Sequence, residues 1–222
     1  MARRIKPNLK PSHPSRGRPP LGEIERTRIL GATAAVFLEK GFQRTNTNEI
    51  ARRAHTSKQT LYALFPTKAD LFVGVIGAHT EKLFARHDSY IASEQPPRVA
   101  LIEIGQTVLG LFTNPEFQAL YRIVIAEARS FPRLARQLRL QCSERGYALL
   151  AEYLRSRRIG HPNYRRAADR FVSLVLGDFL LNGMLDPGLA WSRRVVLKRV
   201  RQAVDDFFMI YPQKKSRKGK SR

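Results

Sequence analysis

Four clustered residues, Lys58, Gln59, Thr60 and Tyr62, combine an ammonium, an amide and two hydroxyl groups within five positions of the chain. Together they supply both hydrogen-bond donors and acceptors. Amide and hydroxyl groups match the base edges of the DNA major groove, and an ammonium group matches a phosphate. Because the local pattern puts all four on the solvent side of one short helix, we expect this polar cluster to contact duplex DNA.

The surrounding residues predict two short helices that cross over a three-residue turn. If Thr47 is taken as the first of twenty helix-turn-helix positions, the small residue Ala51 falls where the two backbones meet. The apolar residues beside this crossing are Ile50, Ala54, Leu61 and Phe65. Residues 55–57 form the turn, in which Ser57 can cap the second short helix, and Pro66 ends that helix.

Helical periodicity continues on both sides of this pair. A first helix, from about Glu23 to a left-handed cap at Gly41, has one apolar face formed by Ile29, Leu30, Thr33, Val36 and Phe37. The capping-box spacing of Thr67 and Asp70 begins a fourth helix that we expect to reach Ile91. Further helices are predicted near residues 98–113, 115–130, 133–157, 164–185 and 190–210. No strand pattern competes, so the sequence predicts an all-α protein.

The charge of the chain favours a polyanionic partner. Forty Lys and Arg residues against eighteen Asp and Glu give a formal net charge of +22. Residues 1–22 and residues 213–222 hold six basic side chains each, which leaves 28 basic and 18 acidic residues in the body of the chain. The C-terminal run is interpreted as a disordered, solubilising end, with non-specific attraction to phosphates as the alternative.

The N-terminal basic run contains the tetrapeptide Arg16-Gly17-Arg18-Pro19, which is similar to the core of an AT-hook. In an extended conformation, Arg16 and Arg18 would lie in the narrow minor groove of A·T-rich DNA, where the negative potential is deepest. Four residues also recur by chance, and a plain basic tail is therefore the alternative.

The sequence gives little support for an enzymatic function. The chain lacks the glycine-rich, P-loop, zinc-protease and nucleophile-elbow motifs. Its five histidines lack metal-ligand spacing, and one cysteine, Cys142, forms neither a disulfide framework nor a cysteine zinc site. We therefore predict no catalytic residue, no metal and no cofactor. Apolar runs fall short of the ~18 residues of a membrane span, so no membrane partner is predicted.

The run from Thr45 to Leu71, TNTNEIARRAHTSKQTLYALFPTKADL, resembles the DNA-binding segment of the tetracycline-repressor (TetR) family of bacterial transcriptional regulators. The similarity also includes the first helix, RILGATAAVFLEKGF. It implies an all-helical homodimer whose recognition helices lie about 34–36 Å apart on a pseudo-palindromic DNA operator. The positions that it implies to touch DNA are Thr47, Lys58, Gln59, Thr60, Tyr62 and Lys68.

Two residues depart from the pattern of that family. His55 stands in the turn where members usually have glycine, and we interpret it as a turn residue that tolerates the left-handed conformation. Leu64 stands where histidine or tyrosine is common, so a phosphate contact from that position is in doubt.

The runs LYRIVIAEARSFPRLARQL and LVLGDFLLNGML resemble the C-terminal domain of the AefR-like subgroup of the family. This resemblance implies a domain that pairs two subunits and often encloses a small-molecule effector. Apolar helices with single polar groups also favour a cavity, for which Tyr121, Arg122 and Glu127 are candidate ligand contacts. The alternative for Arg122 and Glu127 is a pair of unrelated charges. The last two apolar helices suggest a four-helix interface between subunits, or else ordinary core.

The sequence thus predicts a basic arm (residues 1–22), a three-helix helix-turn-helix domain (23–70), a larger helical ligand-binding and dimerisation domain (71–211) and a basic tail (212–222). We expect a ligand-responsive repressor in the bacterial cytoplasm, associated with the nucleoid when it is bound to DNA. Its predicted partners are a double-stranded operator, a second copy of the chain and an unknown effector. The alternative is a sequence-indifferent architectural DNA-binding protein, which lacks the ~10³-fold operator preference of a specific regulator.

Overall fold

A computed structural model describes residues 21–160 and 162–212, and in this part of the chain all regular structure is helical. The α-helices are α1 (Leu21–Arg44), α2 (Thr47–Arg53), α3 (Lys58–Leu64), α4 (Lys68–Phe84), α5 (His87–Ala92), α6 (Pro97–Phe112), α7 (Pro115–Glu127), α8 (Pro132–Leu138), α9 (Arg145–Ser156), α10 (Tyr164–Leu185) and α11 (Arg193–Ile210). A π-helical turn, Arg139–Glu144, joins α8 to α9. The predicted all-α class is confirmed.

Side-chain caps explain where α2, α3 and α4 begin. Asn46 Oδ1 accepts from the Asn48 amide at 2.9 Å, and Ser57 Oγ accepts from the Thr60 amide at 3.0 Å. Thr67 and Asp70 form the predicted reciprocal capping box at the start of α4. Taken singly, no described helix is long and apolar enough to cross a membrane. The pair formed by α3 and residues 68–81 meets those two criteria together, but it is bent by 65°.

Two residues have the positive φ that the sequence predicts for them. Gly41 has φ 71° and interrupts α1, after which the chain forms one more helical turn that ends at Arg44. His55 has φ 47° in the turn between α2 and α3, where a side chain is tolerated at some cost in free energy. The sharp turn allows the two short helices to cross.

The apolar side chains form two hydrophobic cores. The first core joins α1–α4 with α7 and α8, and includes Phe37, Phe42 and Phe72. The second core joins α5, α6 and α9–α11, and includes Phe171 and Phe207. Although α7 and α8 follow the helix-turn-helix segment by more than forty residues, they pack into the same core as that segment.

Three predicted long helices are interrupted in the structure, and one of them is α10, which is kinked at Gly177. The helix expected to reach Ile91 ends at Phe84, and α5 follows separately. Phe84 and Tyr90 are both buried, and residues six positions apart lie on different faces of an unbroken helix. The break therefore allows both aromatic rings to be buried.

The helix predicted over residues 133–157 contains the π-helical turn, which shifts the register of the side chains. Leu134 and Leu138, before the turn, pack in the first core, whereas Leu150 and Leu154, after it, pack in the second core. A uniform α-helical period does not predict this change of partner.

Replacement of the buried Leu61 by alanine tests whether the α2–α3 crossing stabilises the fold. Leu61 is fully buried, so we expect Leu61→Ala to lower the free energy of unfolding by about 2–5 kcal/mol. The matched control is Gln59→Ala, an exposed position on the same helix, which should stay within about 0.5 kcal/mol of the unmodified protein. Urea titration followed by circular dichroism measures both changes. Equal stability of the two variants would contradict the described packing.

Candidate functional site

The polar face of α3 is exposed, and its opposite face is buried. Lys58, Gln59 and Tyr62 are exposed, with Tyr62 retaining 42% of its accessible surface, and Thr60 is half-buried. Leu61 on the other face has no accessible surface. The helix therefore displays amide, hydroxyl and ammonium groups to solvent.

Two of the displayed side chains are held by hydrogen bonds and two are not. Thr47 Oγ1 lies 2.8 Å from the Tyr62 hydroxyl, so α2 and α3 are joined across their outer ends. The Thr60 hydroxyl lies 2.9 Å from Ser57 Oγ at the cap. Within the described residues, Lys58 and Gln59 form neither a hydrogen bond nor an ion pair, and their polar groups are free to bind a ligand.

Lys68 occupies the junction between α1 and α4. Its ammonium donates to the carbonyl oxygens of Gln43 at 3.1 Å and Thr45 at 3.2 Å, and it lies 4.8 Å from the centroid of the Phe42 ring. Desolvation lowers the pKa of Lys68, and the negative charge of Glu127 partly opposes that effect. Since an ammonium group has three donors, one N–H remains for a phosphate.

A clamp of four charged residues, Glu39, Lys40, Glu49 and Arg53, holds α2 against α1. The Arg53 guanidinium donates to both oxygens of Glu39, at 2.6 and 2.7 Å, and to Glu49 at 2.7 Å. Lys40 bonds the other Glu49 oxygen. The hydrogen bond from Arg53 lowers the pKa of Glu39, and the hydrogen bond from Lys40, followed by that from Arg53, lowers the pKa of Glu49. Sequence reasoning missed this clamp, although Glu49 and Arg53 have the four-residue spacing of a helical ion pair.

A cavity of about 430 Å³ lies between the two hydrophobic cores. Ile76, Phe117 and Leu138 line it from the first core, and Ile104 and Leu150 line it from the second. The remaining lining is mostly apolar. Its polar members are Thr80, His87, Tyr90, Tyr121, Arg139, Cys142, Ser143, Tyr147 and Tyr153. The cavity has the size and the apolar character of a small-molecule site.

The three candidate ligand contacts separate in the structure. Tyr121 lines the cavity, but Arg122 and Glu127 lie outside its lining. Arg122 donates to the carbonyl oxygen of Gly183 at 3.0 Å, and Glu127 accepts from Gln43 Nε2 at 3.0 Å. Both charged groups therefore have partners within the protein.

Cys142, in the π-helical turn, also lines the cavity. Burial raises the pKa of its thiol, whereas Thr80 and Arg145 lower it to a smaller extent. Among the described residues, no group of three histidine, cysteine or acidic side chains is placed to bind a metal. Arg16 and Arg18 of the predicted arm, and residues 213–222, lie outside the described residues.

Residues 127–137 comprise the end of α7, the loop after it and most of α8, and we call this region the α7–α8 corner. It connects the cavity to the DNA-binding helices. Three contacts reach from the corner to α1 and α4. The Glu127–Gln43 hydrogen bond is the first, and the edge-to-face contact of Phe131 with Phe42, with centroids 4.8 Å apart, is the second. The third is the hydrogen bond from Gln137 to Asp70 at 3.3 Å. Because α7 and α8 also line the cavity, the corner touches both sites.

The fold and the exposed face of α3 define a helix-turn-helix protein with a helical domain that contains a cavity. Residues 29–75 match the family model for bacterial regulatory proteins of the tetR family. Residues 99–213, more than half of the chain, match the model for the C-terminal domain of AefR-like transcriptional repressors. The chain belongs to the TetR family.

Individual relatives agree with this assignment. The transcriptional repressor KstR of Mycolicibacterium smegmatis is 31% identical over 91 residues, which cover 40% of this chain and 45% of that protein. The chain thus matches less than half of the length of this curated relative. The uncharacterised regulator YvkB of Bacillus subtilis is 26% identical over 168 residues, which cover 69% of this chain and 80% of YvkB.

Solved structures extend the likeness over most of the chain. The flavonoid-responsive regulator FrrA has a TM-score of 0.66 and 27% identity, covering 87% of this chain and all of FrrA. A TetR-family regulator from Mesorhizobium loti has a TM-score of 0.74 and 23% identity, covering 86% of this chain and 98% of its own. The second likeness concerns the fold alone.

The Glu39–Arg53–Glu49 contacts predict a dependence of stability on pH. Both carboxyl groups have folded pKa values below their ordinary value of 4.5, so their contribution is present above about pH 4.5 and is lost as the pH falls through the lowered values. As the pH is lowered from about 5 to about 3, we expect the thermal unfolding midpoint of Arg53→Met to fall less steeply than that of the unmodified protein. The matched control, Arg52→Met on the exposed face of α2, should keep the steep decline. Identical profiles for all three proteins would contradict the role of the clamp.

Proposed function

We propose that the chain is a sequence-specific transcriptional repressor that acts in the bacterial cytoplasm, with a regulatory rather than a catalytic role. The observation that carries the proposal is the exposed polar face of α3, on which Lys58 and Gln59 have no protein partner within the described residues. A recognition helix needs such groups free to bind DNA. Membership of the TetR family and the repressor function in the name of KstR support the same conclusion.

In this proposal, the side chains of α3 bind different parts of the DNA. Gln59 and Thr60 bind base edges in the major groove, whereas Lys58 and Tyr62 bind phosphates. Thr47 supports Tyr62 through their 2.8 Å hydrogen bond. Lys68 uses its remaining N–H for a phosphate while it holds the end of α1. Arg16 and Arg18 add minor-groove contacts from the arm.

We propose that two copies pair through α10 and α11 on a pseudo-palindromic operator. Leu181 and Leu185 on α10 retain 60% and 73% of their accessible surface, and Met209 on α11 retains 74%. Exposed large apolar side chains at both ends of this helix pair favour a self-complementary contact across a two-fold axis. The pairing would set the two copies of α3 about one DNA turn apart.

A ligand in the cavity would regulate DNA binding through the α7–α8 corner and α4. Both hydrophobic cores bound the cavity. A bound molecule can change the distance between the cores only if it binds one arrangement of the two cores more tightly than another. Glu127, Phe131 and Gln137 would transmit that change to α1 and α4 through their three contacts. FrrA, which is described as flavonoid-responsive, supports a response to a small molecule. Tyr121 is the sequence-predicted ligand contact that this proposal retains.

An architectural DNA-binding protein would share the charge of the chain but would not require the amide and hydroxyl groups of α3. The relatives with names that specify repressors favour the specific regulator. Selection of bound sequences from random DNA distinguishes the two functions. A regulator should recover one palindromic sequence and bind it at least ~10³-fold more tightly than random DNA at physiological salt. Recovery of no common sequence would support the architectural function instead.

Substitutions at neighbouring positions of α3 should separate base contacts from phosphate contacts. We expect Gln59→Ala to cost about 1–3 kcal/mol on the selected operator and to relax the preference at particular base pairs. Lys58→Ala should instead weaken binding to all sequences alike and reduce the salt dependence by about one phosphate contact. Mobility-shift titrations over a set of mutated operators at several salt concentrations measure both effects. Indistinguishable behaviour of the two variants would contradict the proposed division.

The proposed pairing predicts that a charge on α10 disrupts the dimer. We expect Leu181→Asp to be monomeric at micromolar concentration, because an unpaired carboxylate in an apolar interface is costly to bury. Leu140→Asp is the matched control, since Leu140 is also an exposed leucine but lies in the π-helical turn. Analytical ultracentrifugation should find this control dimeric. A monomeric unmodified protein, or a dimeric Leu181→Asp, would contradict pairing through α10.

A further inference from the structure

The basic side chains that line the cavity already have partners outside its lining. Arg139 donates to Glu144 at 2.8 Å, and His87 Nε2 lies 3.1 Å from Glu152 Oε2. None of the described residues that line the cavity is acidic. The lining therefore offers no counter-charge to a cation, and its two basic side chains already pair with carboxylates of the protein.

Four tyrosines in the lining provide hydroxyl groups. Those of Tyr90 and Tyr153 are buried, form no hydrogen bond of acceptable geometry, and lie close to Glu103 and Arg157 respectively. Those of Tyr121 and Tyr147 form no hydrogen bond with the described residues. Desolvation raises the pKa of all four phenols, so they remain protonated at neutral pH and can donate to an oxygen acceptor. Buried polar groups usually find a partner, and a ligand would supply one here.

Aromatic rings form a continuous part of the cavity wall. The rings of Phe112, Phe117 and Tyr121 contact one another with centroids 5.3 to 5.8 Å apart. Tyr90 and Tyr153 form a further edge-to-face pair with centroids 6.4 Å apart. Ring faces and edges pack well against a planar aromatic ligand.

We propose that the cavity binds an uncharged, largely aromatic molecule that carries oxygen acceptors, and that it discriminates against cations and carboxylates of the same shape. The inference rests on the proposed function only in taking this cavity as the effector site. It adds a rule of charge to that function, because Arg139 and His87 already have carboxylate partners, and uncharged groups such as the hydroxyls of Tyr121 and Tyr147 are then the polar groups available to a ligand.

Three probes of nearly the same shape test the rule. 4-Acetylbiphenyl is neutral, biphenyl-4-carboxylate is anionic, and biphenyl-4-carboxamidine is cationic. Calorimetric titration of the full chain at pH 7, without DNA, should give a dissociation constant for the ketone at least about tenfold below that of either ion. Equal or tighter binding of either ion would overturn the proposal. Failure of the ketone to bind at up to about 1 mM would also overturn it.

Substitutions in the lining assign the binding to the cavity. Cys142→Trp should abolish binding of the ketone by filling the space, with circular dichroism as the check that the variant is folded. If that variant does not fold, the phenylalanine variants of Tyr90, Tyr121, Tyr147 and Tyr153 serve instead, each nearly identical in shape to the parent. At least one of them should weaken binding of the ketone about three- to tenfold and leave binding of biphenyl unchanged. Unchanged binding of the ketone by all four would overturn the assignment.

Operator binding by the same preparations keeps the two proposals distinguishable. A chain that binds the ketone but no operator would retain the ligand rule and contradict the proposed function. A chain that selects an operator but prefers an ion over the ketone would retain the repressor and contradict the ligand rule.

Discussion

The burial of Leu61 against Ile50 and Ala51 is the constraint on which the DNA-binding part depends. Because α3 has only seven residues, fixing one face in the core determines where the other face lies. Leucine and isoleucine at the crossing supply the free energy of burial, and alanine lets the two backbones approach. The polar side chains of α3 are consequently displayed outward. The Arg53 clamp and the Ser57 cap then fix the helices that carry them.

In the proposed regulation, the position of the cavity between the two cores is decisive. Each hydrophobic core is close-packed and therefore behaves as a unit, whereas the space between the cores is the place where a small molecule can be added. The helices α7 and α8 pack in the same core as the DNA-binding helices. The two packing units of the protein therefore do not coincide with the two domains that the order of the sequence suggests. The Phe42–Phe131 contact shows the difference, because it joins residues 89 positions apart. A ligand-induced shift of the second core would thus act on a unit that already contains α3.

The features that the sequence predicted correctly depend on local interactions. The left-handed turn at His55, the Ser57 cap and the Thr67–Asp70 capping box involve residues at most a few positions apart. The break at Phe84 and the π-helical turn depend instead on which core each side chain packs in. That choice depends on residues distant in the sequence, and a helical period cannot specify it. The cavity lining was predicted only at Tyr121, because its other polar members are brought together from several helices. Arg122 and Glu127 have the right chemistry for a ligand, but their partners are protein groups.

The most direct test is to locate α3 on bound DNA. In a Cys142→Ser background, an iron chelate attached at Ala63→Cys, an exposed position on α3, would cleave the DNA strands nearest to that helix. On the selected operator, we expect two clusters of cleavage, centred in successive major grooves about 10 base pairs apart and related by the symmetry of the site. Uniform cleavage along the duplex, or protection of the operator without cleavage near either half-site, would contradict the central claim that α3 enters the major groove.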